Sequence, residues 1–381
     1  MQRVSHITQK RFLPYGRQLV DAEDVAAVKK VLRSDWLTQG PIVERFERAV
    51  AKYCASRYAI AVSSGTAALH AAYKAAGLGF GDEVVMSPLT FAATANAAVL
   101  CGVNPVFADI REETLNIDPA EAEKRITKKT KAIMAVDFAG NPCEYEKLLR
   151  IARKHKLLLL DDAAHSLGAV YRGRKVGGIA DITTFSFHPV KVITTGEGGM
   201  VVTNKKEFAE EARRFRNHGI ERIPEKGGWY YEIAEPGLNY RIPDMQCALG
   251  LSQLRKLNGF LKRRRELARQ YGKLLRGVQG LILPQEAQGA RSAWHIYPVQ
   301  IVGGAVKRRK VFEELRRQGI GVQVHYMPLH LHSFYKKKFG YKKGDFPKAE
   351  RYYEAAITLP LFPAMTDRDQ KYVVNTLTKL L

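Results

Sequence analysis

Cysteine, tryptophan and acidic residues are all scarce in this chain of 381 residues. Its four cysteines, Cys54, Cys101, Cys143 and Cys247, stand far apart, with no C-x-x-C pair and no histidine–cysteine cluster. That scatter excludes a disulfide scaffold and a zinc ribbon, and the four read as reduced thiols, mostly in the core. No apolar run approaches the ~20 residues of a membrane span. The opening segment M-Q-R-V-S-H-I-T-Q-K-R-F lacks the apolar centre of a secretory signal, so the expected location is cytoplasmic, with no membrane partner. Internal repeats and low-complexity tracts are missing as well. A chain of this length suits one large domain plus a smaller one.

Acid is short relative to base: 38 Asp and Glu against 61 Lys and Arg, a formal net charge of +23. A nucleic-acid binder gathers its basic residues on one face, interleaved with aromatics. Here the excess is spread along the chain in short runs, Lys262–Arg265, Lys307–Lys310 and Lys336–Lys338, the first two within helical patterns. Solvated helix faces and a multiply anionic small substrate account for the sign, and no nucleic-acid partner is expected. His188, His325, His330 and His332 lack a zinc spacing, so no metal is expected.

What is present is a regular alternation. Short apolar strands at Tyr58–Val62, Glu83–Met86, Val106–Asp109, Lys131–Asp137, Leu157–Asp161 and Ile182–Phe187 are separated by amphipathic or alanine-rich helical patterns. This predicts an α/β protein with a mostly parallel central sheet covered on both faces. A long helical pattern from Met245 to about Leu275 follows. Strands at His295–Ile301 and Val322–His325 then alternate with helices at Arg308–Gln318, Lys348–Ala356 and Asp367–Leu380. The expected division is a large domain over 1–245 with an N-terminal arm, a bridging helix over 246–276, and a small C-terminal α/β domain over 277–381. The G-L-G-F-G-D segment (Gly77–Asp82) is no dinucleotide fingerprint, because it ends a helix and precedes a strand.

In parallel sheets, ligand groups gather at the carboxyl ends of the strands. Four such ends carry suggestive residues. S-S-G-T (Ser63–Thr66) enters a small-residue helix, which makes either an anion site or an ordinary N-cap. Phe91 follows the second strand, either as a plate for a flat ligand or as core. Asp161 and Asp162 close the fifth. Lys191 lies between an apolar strand and the turn T-T-G-E-G-G. A pyridoxal phosphate enzyme needs these fittings: a lysine to carry the cofactor and shuttle protons, and a carboxylate for the pyridine nitrogen. It also needs an anion cradle and an apolar sandwich for the ring. Lys191, Asp162, the group Ser64, Gly65, Thr66 and Ser186, and Phe91 with Ala164 suit these four roles in turn.

The motifs T-Q-G-P, S-S-G-T-A-A-L, D-D-A-A-H-S-L-G-A, F-S-F-H-P-V-K with T-T-G-E-G-G, and G-L-N-Y-R carry a resemblance over nearly the whole chain. It resembles the DegT/DnrJ/EryC1/StrS sugar aminotransferases, which have the aspartate aminotransferase fold (fold type I). Together with Q-V-H-Y-M-P-L-H and Y-Y-E-A-A-I-T-L-P-L-F-P, the lysine segment is most similar to one subgroup, the PseC-type transaminases of pseudaminic acid synthesis. Val192 stands where that subgroup commonly has proline. The resemblance implies amination of C4 of a UDP-linked 4-keto-6-deoxy-N-acetylhexosamine, with glutamate as donor. It implies Lys191 as the cofactor lysine, Asp162 at its nitrogen and His165 at its ring hydroxyl. It further implies a homodimer with shared sites, in which Asn239 reaches the partner's phosphate. Tyr15, Leu37, Thr38, Gln39, Gly40, Gln323, Val324, His325 and Tyr326 would line the substrate. Two rivals keep the fold. A dehydratase of this family usually has histidine in place of the lysine, and a regulatory relative would lose the lysine or the aspartate; both residues are present.

Overall fold

The computed structural model describes residues 12–381, and the reading of the N-terminal segment falls largely outside the described residues. Seven strands form the central sheet. In spatial order they are Tyr58–Val62, Gly199–Thr203, Ile182–Ser186, Leu158–Asp162, Thr130–Val136, Glu83–Met86 and Asn104–Phe107. Neighbours from Ile182–Ser186 onward pair in parallel, while Gly199–Thr203 runs antiparallel to the strands on both its sides. Residues in the middle strands are buried on both faces, which is why they read as continuous apolar runs rather than alternating ones. One apolar cluster lies on each face of the sheet.

The helix that covers the first crossover, Gly65–Ala75, turns Ala67, Ala68, Ala71 and Ala72 into the core. Four methyl-sized side chains let its backbone approach the sheet closely. Ser64 caps this helix, its Oγ accepting from the Ala67 N–H at 3.0 Å. The edge strand Tyr58–Val62 is guarded at Ala61. Glu47 accepts from its N–H at 2.9 Å, and Arg216, paired with Glu47, donates to its carbonyl at 2.7 Å. Both groups that could template a further strand are thereby occupied at that position.

The helix Asp244–Leu274 runs 31 residues, about 46 Å at 1.5 Å per residue. Its first residue, Asp244, is fully buried and accepts from the N–H groups of Gly40, Ile42 and Val43, so it caps the helix Pro41–Cys54 from across the fold. Its far half packs against an antiparallel sheet of Leu281–Ile282, Tyr297–Ile301 and Ala356–Leu359, through the third apolar cluster.

Several sequence expectations shift. The third strand lies at Asn104–Phe107, two residues earlier than its hydrophobicity suggests. The expected strand Val322–His325 forms a single bridge, Gln323 to Thr358, and the strand it meets, Ala356–Leu359, begins at the residue where the pattern ends a helix. A hairpin, Ile220–Arg222 with Tyr231–Ile233, forms where the pattern shows no strand. Periodicity missed these because each element is only three or four residues long.

Candidate active site

A cavity of about 380 Å³ opens at the carboxyl ends of the central strands, within the usual range for small-molecule sites. Its lining includes Ser64, Gly65, Thr66, Phe91, Asp162, His165, Ser186, Lys191, Tyr15, His325 and Tyr326, all expected from the sequence. At one end the N-terminus of the Gly65–Ala75 helix meets the end of the Ile182–Ser186 strand. A Cβ on Gly65 would lie 2.8 Å from the Ser186 Cβ and 2.9 Å from its Oγ, so only glycine lets the two elements close on each other there. The result is a concave edge of hydroxyls at a helix N-terminus, the arrangement that suits a phosphate.

At the other end, residues 161 and 162 point to opposite faces of their strand, and this alternation separates the two acids. Asp162 faces the cavity. Its Oδ2 accepts from Thr94 Oγ1 at 2.6 Å, and Thr94 is itself bonded to Thr90 at 2.7 Å; its Oδ1 accepts from the Ala164 N–H at 3.2 Å. Burial pushes this carboxyl up, against the hydrogen bonds and the attraction of Lys191. Fastening the turn at Ala164 and pairing with a cofactor nitrogen are therefore compatible for Asp162, since each carboxylate oxygen accepts more than one hydrogen bond.

Asp161 faces away, into a buried group with Asp137 and Tyr145. The Tyr145 hydroxyl lies 2.8 Å from Asp137 Oδ2 and 2.7 Å from Asp161 Oδ2. One phenolic proton cannot serve two carboxylates, so the trio calls for a second proton on one of the acids. Burial raises both, Asp137 to about 6 and Asp161 well above its ordinary value. Because both are raised on folding, the native state binds more protons than the unfolded chain, and stability falls as pH rises from about 4 through 6. Asp161→Asn, which mimics the protonated acid, is expected to match the parent's thermal midpoint near about pH 4 and exceed it near about pH 8. Tyr145→Phe, which leaves the acids without their shared donor, should lose about 2–4 kcal/mol in denaturant titration. A variant Asp161→Asn that is less stable than the parent at both pH values would overturn the shared proton.

Lys191 is carried on the loop between the Ile182–Ser186 and Gly199–Thr203 strands. The loop is cross-braced by its own backbone and threonines. Phe187 N–H donates to Gly198 O at 2.8 Å and Thr195 N–H to Phe187 O at 3.0 Å, while Thr194 Oγ1 donates to the same carbonyl at 3.1 Å. Val192 and Ile193 are buried beside it and anchor the turn. The valine at the position where proline is common thus packs into the core. Burial lowers the Lys191 ammonium to about 8, with Asp162 pulling the other way. Near neutral pH a useful fraction of Lys191 Nζ is the free amine, able to take up a proton.

Aromatic rings build the remaining wall. Phe91, 58% exposed, lies 5.8 Å from Tyr326; Phe138 meets Tyr326 edge-on at 6.2 Å; and His165 packs on His295 at 4.3 Å between ring centres. Burial, reinforced by the nearby Lys191 charge, depresses all three imidazoles, His325 to about 3 and His165 and His295 well below the usual range. They are neutral at physiological pH.

The other expected residues lie elsewhere in this chain. Leu37, Thr38 and Gln39 are exposed, on a loop fixed by a Thr38–Pro243 bridge and by the hydrogen bond from Asp244 N–H to Leu37 O at 3.0 Å. Gly40 is held on Asp244. Asn239 is exposed and bridges Asn217. Gln323 pairs with Thr358, and Val324 packs in the core beside the cavity. None of these lines the cavity of its own chain. Conversely, Thr90, Thr94 and Phe138 belong to the site or its support and were not singled out from the sequence. Thr94 lies three residues beyond Phe91, in the first turn of the helix Ala92–Leu100, which is the only trace of its role.

The residues fit pyridoxal phosphate: a glycine-dependent hydroxyl cradle at one end, a buried carboxyl at the other, a lysine with a lowered pKa, and a ring-sized gap walled by Phe91. Fold and site together define a pyridoxal-phosphate-dependent enzyme of the aspartate aminotransferase architecture. The family model for the DegT/DnrJ/EryC1/StrS aminotransferase family matches residues 18–378, and the chain belongs to that family. It is 42% identical over 385 residues to the spore coat polysaccharide biosynthesis protein SpsC of Bacillus subtilis, covering 98% of this chain and 99% of SpsC. It is 40% identical over 374 residues to the UDP-4-amino-4,6-dideoxy-N-acetyl-beta-L-altrosamine transaminase of Campylobacter jejuni, covering 97% of each. Among solved structures it is similar to Helicobacter pylori PseC, an aminotransferase involved in pseudaminic acid biosynthesis, with TM-score 0.92, 34% identity, and 97% and 99% of the two chains covered.

Proposed function

We propose that this enzyme transfers an amino group from glutamate to C4 of a UDP-linked 4-keto-6-deoxy-N-acetylhexosamine. The observation that carries the reading is the convergence of Lys191, Asp162 and the Ser64–Thr66 and Ser186 cradle on one cavity, in a chain similar over its whole length to a UDP-sugar transaminase. Bound pyridoxal phosphate supplies the electron sink for proton transfer at the amino-bearing carbon. The protein's part is then local. Ser64, Gly65, Thr66 and Ser186 hold the phosphate. Asp162 keeps a proton on the ring nitrogen. Lys191 Nζ takes and returns the proton, and Phe91 keeps water off one face.

The residues outside the cavity fit a second copy of the chain. Asn239 and residues Leu37, Thr38 and Gln39 are exposed, and the hairpin displays Trp229, 82% exposed, with Tyr231 and Ile233. In this reading each site is completed by Asn239 and by residues 37–40 of a partner subunit, and the enzyme is a homodimer.

A second reading keeps the chemistry and changes the sugar. SpsC, a polysaccharide biosynthesis protein, is as similar to this chain as the UDP-sugar transaminase is, which favours testing other nucleotide-linked keto sugars, dTDP- or GDP-linked. The test is a screen of glutamate against UDP- and dTDP-linked 4-keto sugars of both C5 configurations, with the product resolved by NMR. Turnover of the UDP-sugar with a new C4 amine is the expected result. Preference for the dTDP-sugar would transfer the assignment to the second reading, and no amination of any keto sugar would overturn both.

A further inference from the structure

His165 sits on the turn after Asp162, 7% exposed, and its Nε2 lies 3.2 Å from the Tyr326 hydroxyl. The two rings are near parallel, at 29°. Tyr326 is held there from the C-terminal sheet. The carbonyl of its neighbour His325 accepts from Tyr352 OH at 2.8 Å, His325 Nδ1 bonds Thr358 Oγ1 at 2.8 Å, and the Thr358 N–H donates to Gln323 O at 2.7 Å. Phe91 and Phe138 close on the phenol ring itself. A residue on the turn after a central strand therefore meets a phenol whose position is set by contacts with the C-terminal sheet.

A neutral imidazole has one N–H and one bare nitrogen, and the partner of one decides the state of the other. Burial and the Lys191 charge keep His165 neutral, and burial keeps the Tyr326 phenol protonated. Two arrangements are open. If Nε2 carried the proton, the phenol oxygen would accept it, and the phenol's own O–H would have no acceptor among the described contacts. If Nε2 is bare, the O–H is satisfied and the ring proton sits on Nδ1. The second arrangement leaves a free donor only at Nδ1, where the ring oxygen of the proposed cofactor would accept it, whereas the first strands the phenol O–H in a largely buried place, where an unmade hydrogen bond costs about 1–3 kcal/mol. No hydrogen bond joins His165 to His295, so the packed imidazole does not compete for either nitrogen.

We propose that Tyr326 is a positioning residue: it fixes His165 as the Nδ1–H tautomer and so leaves Nδ1–H as the donor available to the ring oxygen of the cofactor. The proposal rests on the reading of His165 as the group that meets that oxygen. A free neutral imidazole prefers its proton on Nε2, so the tautomer here is the reverse of the default. A donor rather than an acceptor facing the ring oxygen favours its anionic form. Tyr326 acts on the reaction through His165 and not by touching the reacting atoms.

The test uses full-length protein labelled with ¹⁵N-histidine, with and without pyridoxal phosphate, and His165 assigned by its loss in His165→Gln. The parent is expected to show a bare Nε2 and a protonated Nδ1. Tyr326→Phe, which removes only the hydroxyl, is expected to return the proton to Nε2. It should also lower kcat about tenfold to a hundredfold while leaving KM for both substrates within about twofold. A parent protonated at Nε2, or the same nitrogen pattern in both proteins, overturns the proposal. So does a raised acceptor KM with unchanged kcat, which would make Tyr326 a substrate contact. If the cofactor reading fails, the parent develops no visible band with pyridoxal phosphate. The nitrogen pattern is read without the cofactor as well, so the two failures are told apart.

Discussion

Lys191→Ala protein is expected to lack the parent's visible band after incubation with pyridoxal phosphate and dialysis, and to lose at least about a thousandfold in turnover. The parent should be yellow, with a visible band that survives dialysis. Lys191 is the lysine that lines the cavity, on a loop braced at Phe187, Thr194 and Thr195 and anchored by buried Val192 and Ile193. Its electrostatics give a second, cofactor-free check. With the ammonium lowered to about 8, the amine is freed by base two to three units earlier than an exposed lysine. Labelling of Lys191 by a small amine-directed reagent, followed by peptide mapping, should rise through about pH 8, while surface lysines react only near about pH 10. An unchanged spectrum in Lys191→Ala would remove the cofactor assignment. A labelling midpoint shared with the surface lysines would show that the loop leaves Lys191 in water.

Asp162→Asn is expected to keep the fold and bind the cofactor, while losing about a hundredfold to a thousandfold in turnover. The substitution preserves shape. The amide oxygen can still accept from Thr94 Oγ1, and only the longer bond from the Ala164 N–H, 3.2 Å in the parent, is given up. In the proposed reading, what disappears is the negative charge beside the ring nitrogen, and with it the force that keeps that nitrogen protonated. The comparison with Thr94→Val sharpens the point. Removing the hydroxyl leaves the charge in place but unfastens Oδ2, so a smaller loss in turnover is expected than from Asp162→Asn. Near-normal turnover in Asp162→Asn would reduce the acid to a brace for the turn at Ala164.

Much of this was legible in the chain. Continuous apolar strands followed by small-residue helices announce a parallel sheet, because a strand buried on both faces has no polar side to display. Ser64, Phe91, Asp162 and Lys191 could be grouped because each follows a strand end, and one edge of such a sheet collects all of them. The antiparallel insertion of Gly199–Thr203 was not legible, since the direction of a strand leaves no mark on its side-chain pattern. The hairpin at Ile220–Ile233 and the strand Ala356–Leu359 were too short for periodicity to register. Thr94 and Phe138 were missed for another reason: threonine and phenylalanine are common in cores, and only a neighbour such as Asp162 or Tyr326 gives them a task.

The sequence by itself determined the class of chemistry, through residue types that a cofactor of one shape requires in one order along the sheet. Tertiary structure alone decided which groups act on which. It set Asp162 toward the cavity and Asp161 toward Tyr145 and Asp137, placed Thr94 under the carboxylate, and brought Tyr326 from the C-terminal sheet against His165. The physical reason is range. Hydrophobic period and motif are local properties of the chain, whereas hydrogen bonds between residues 68 or 161 positions apart exist only once the layers have packed.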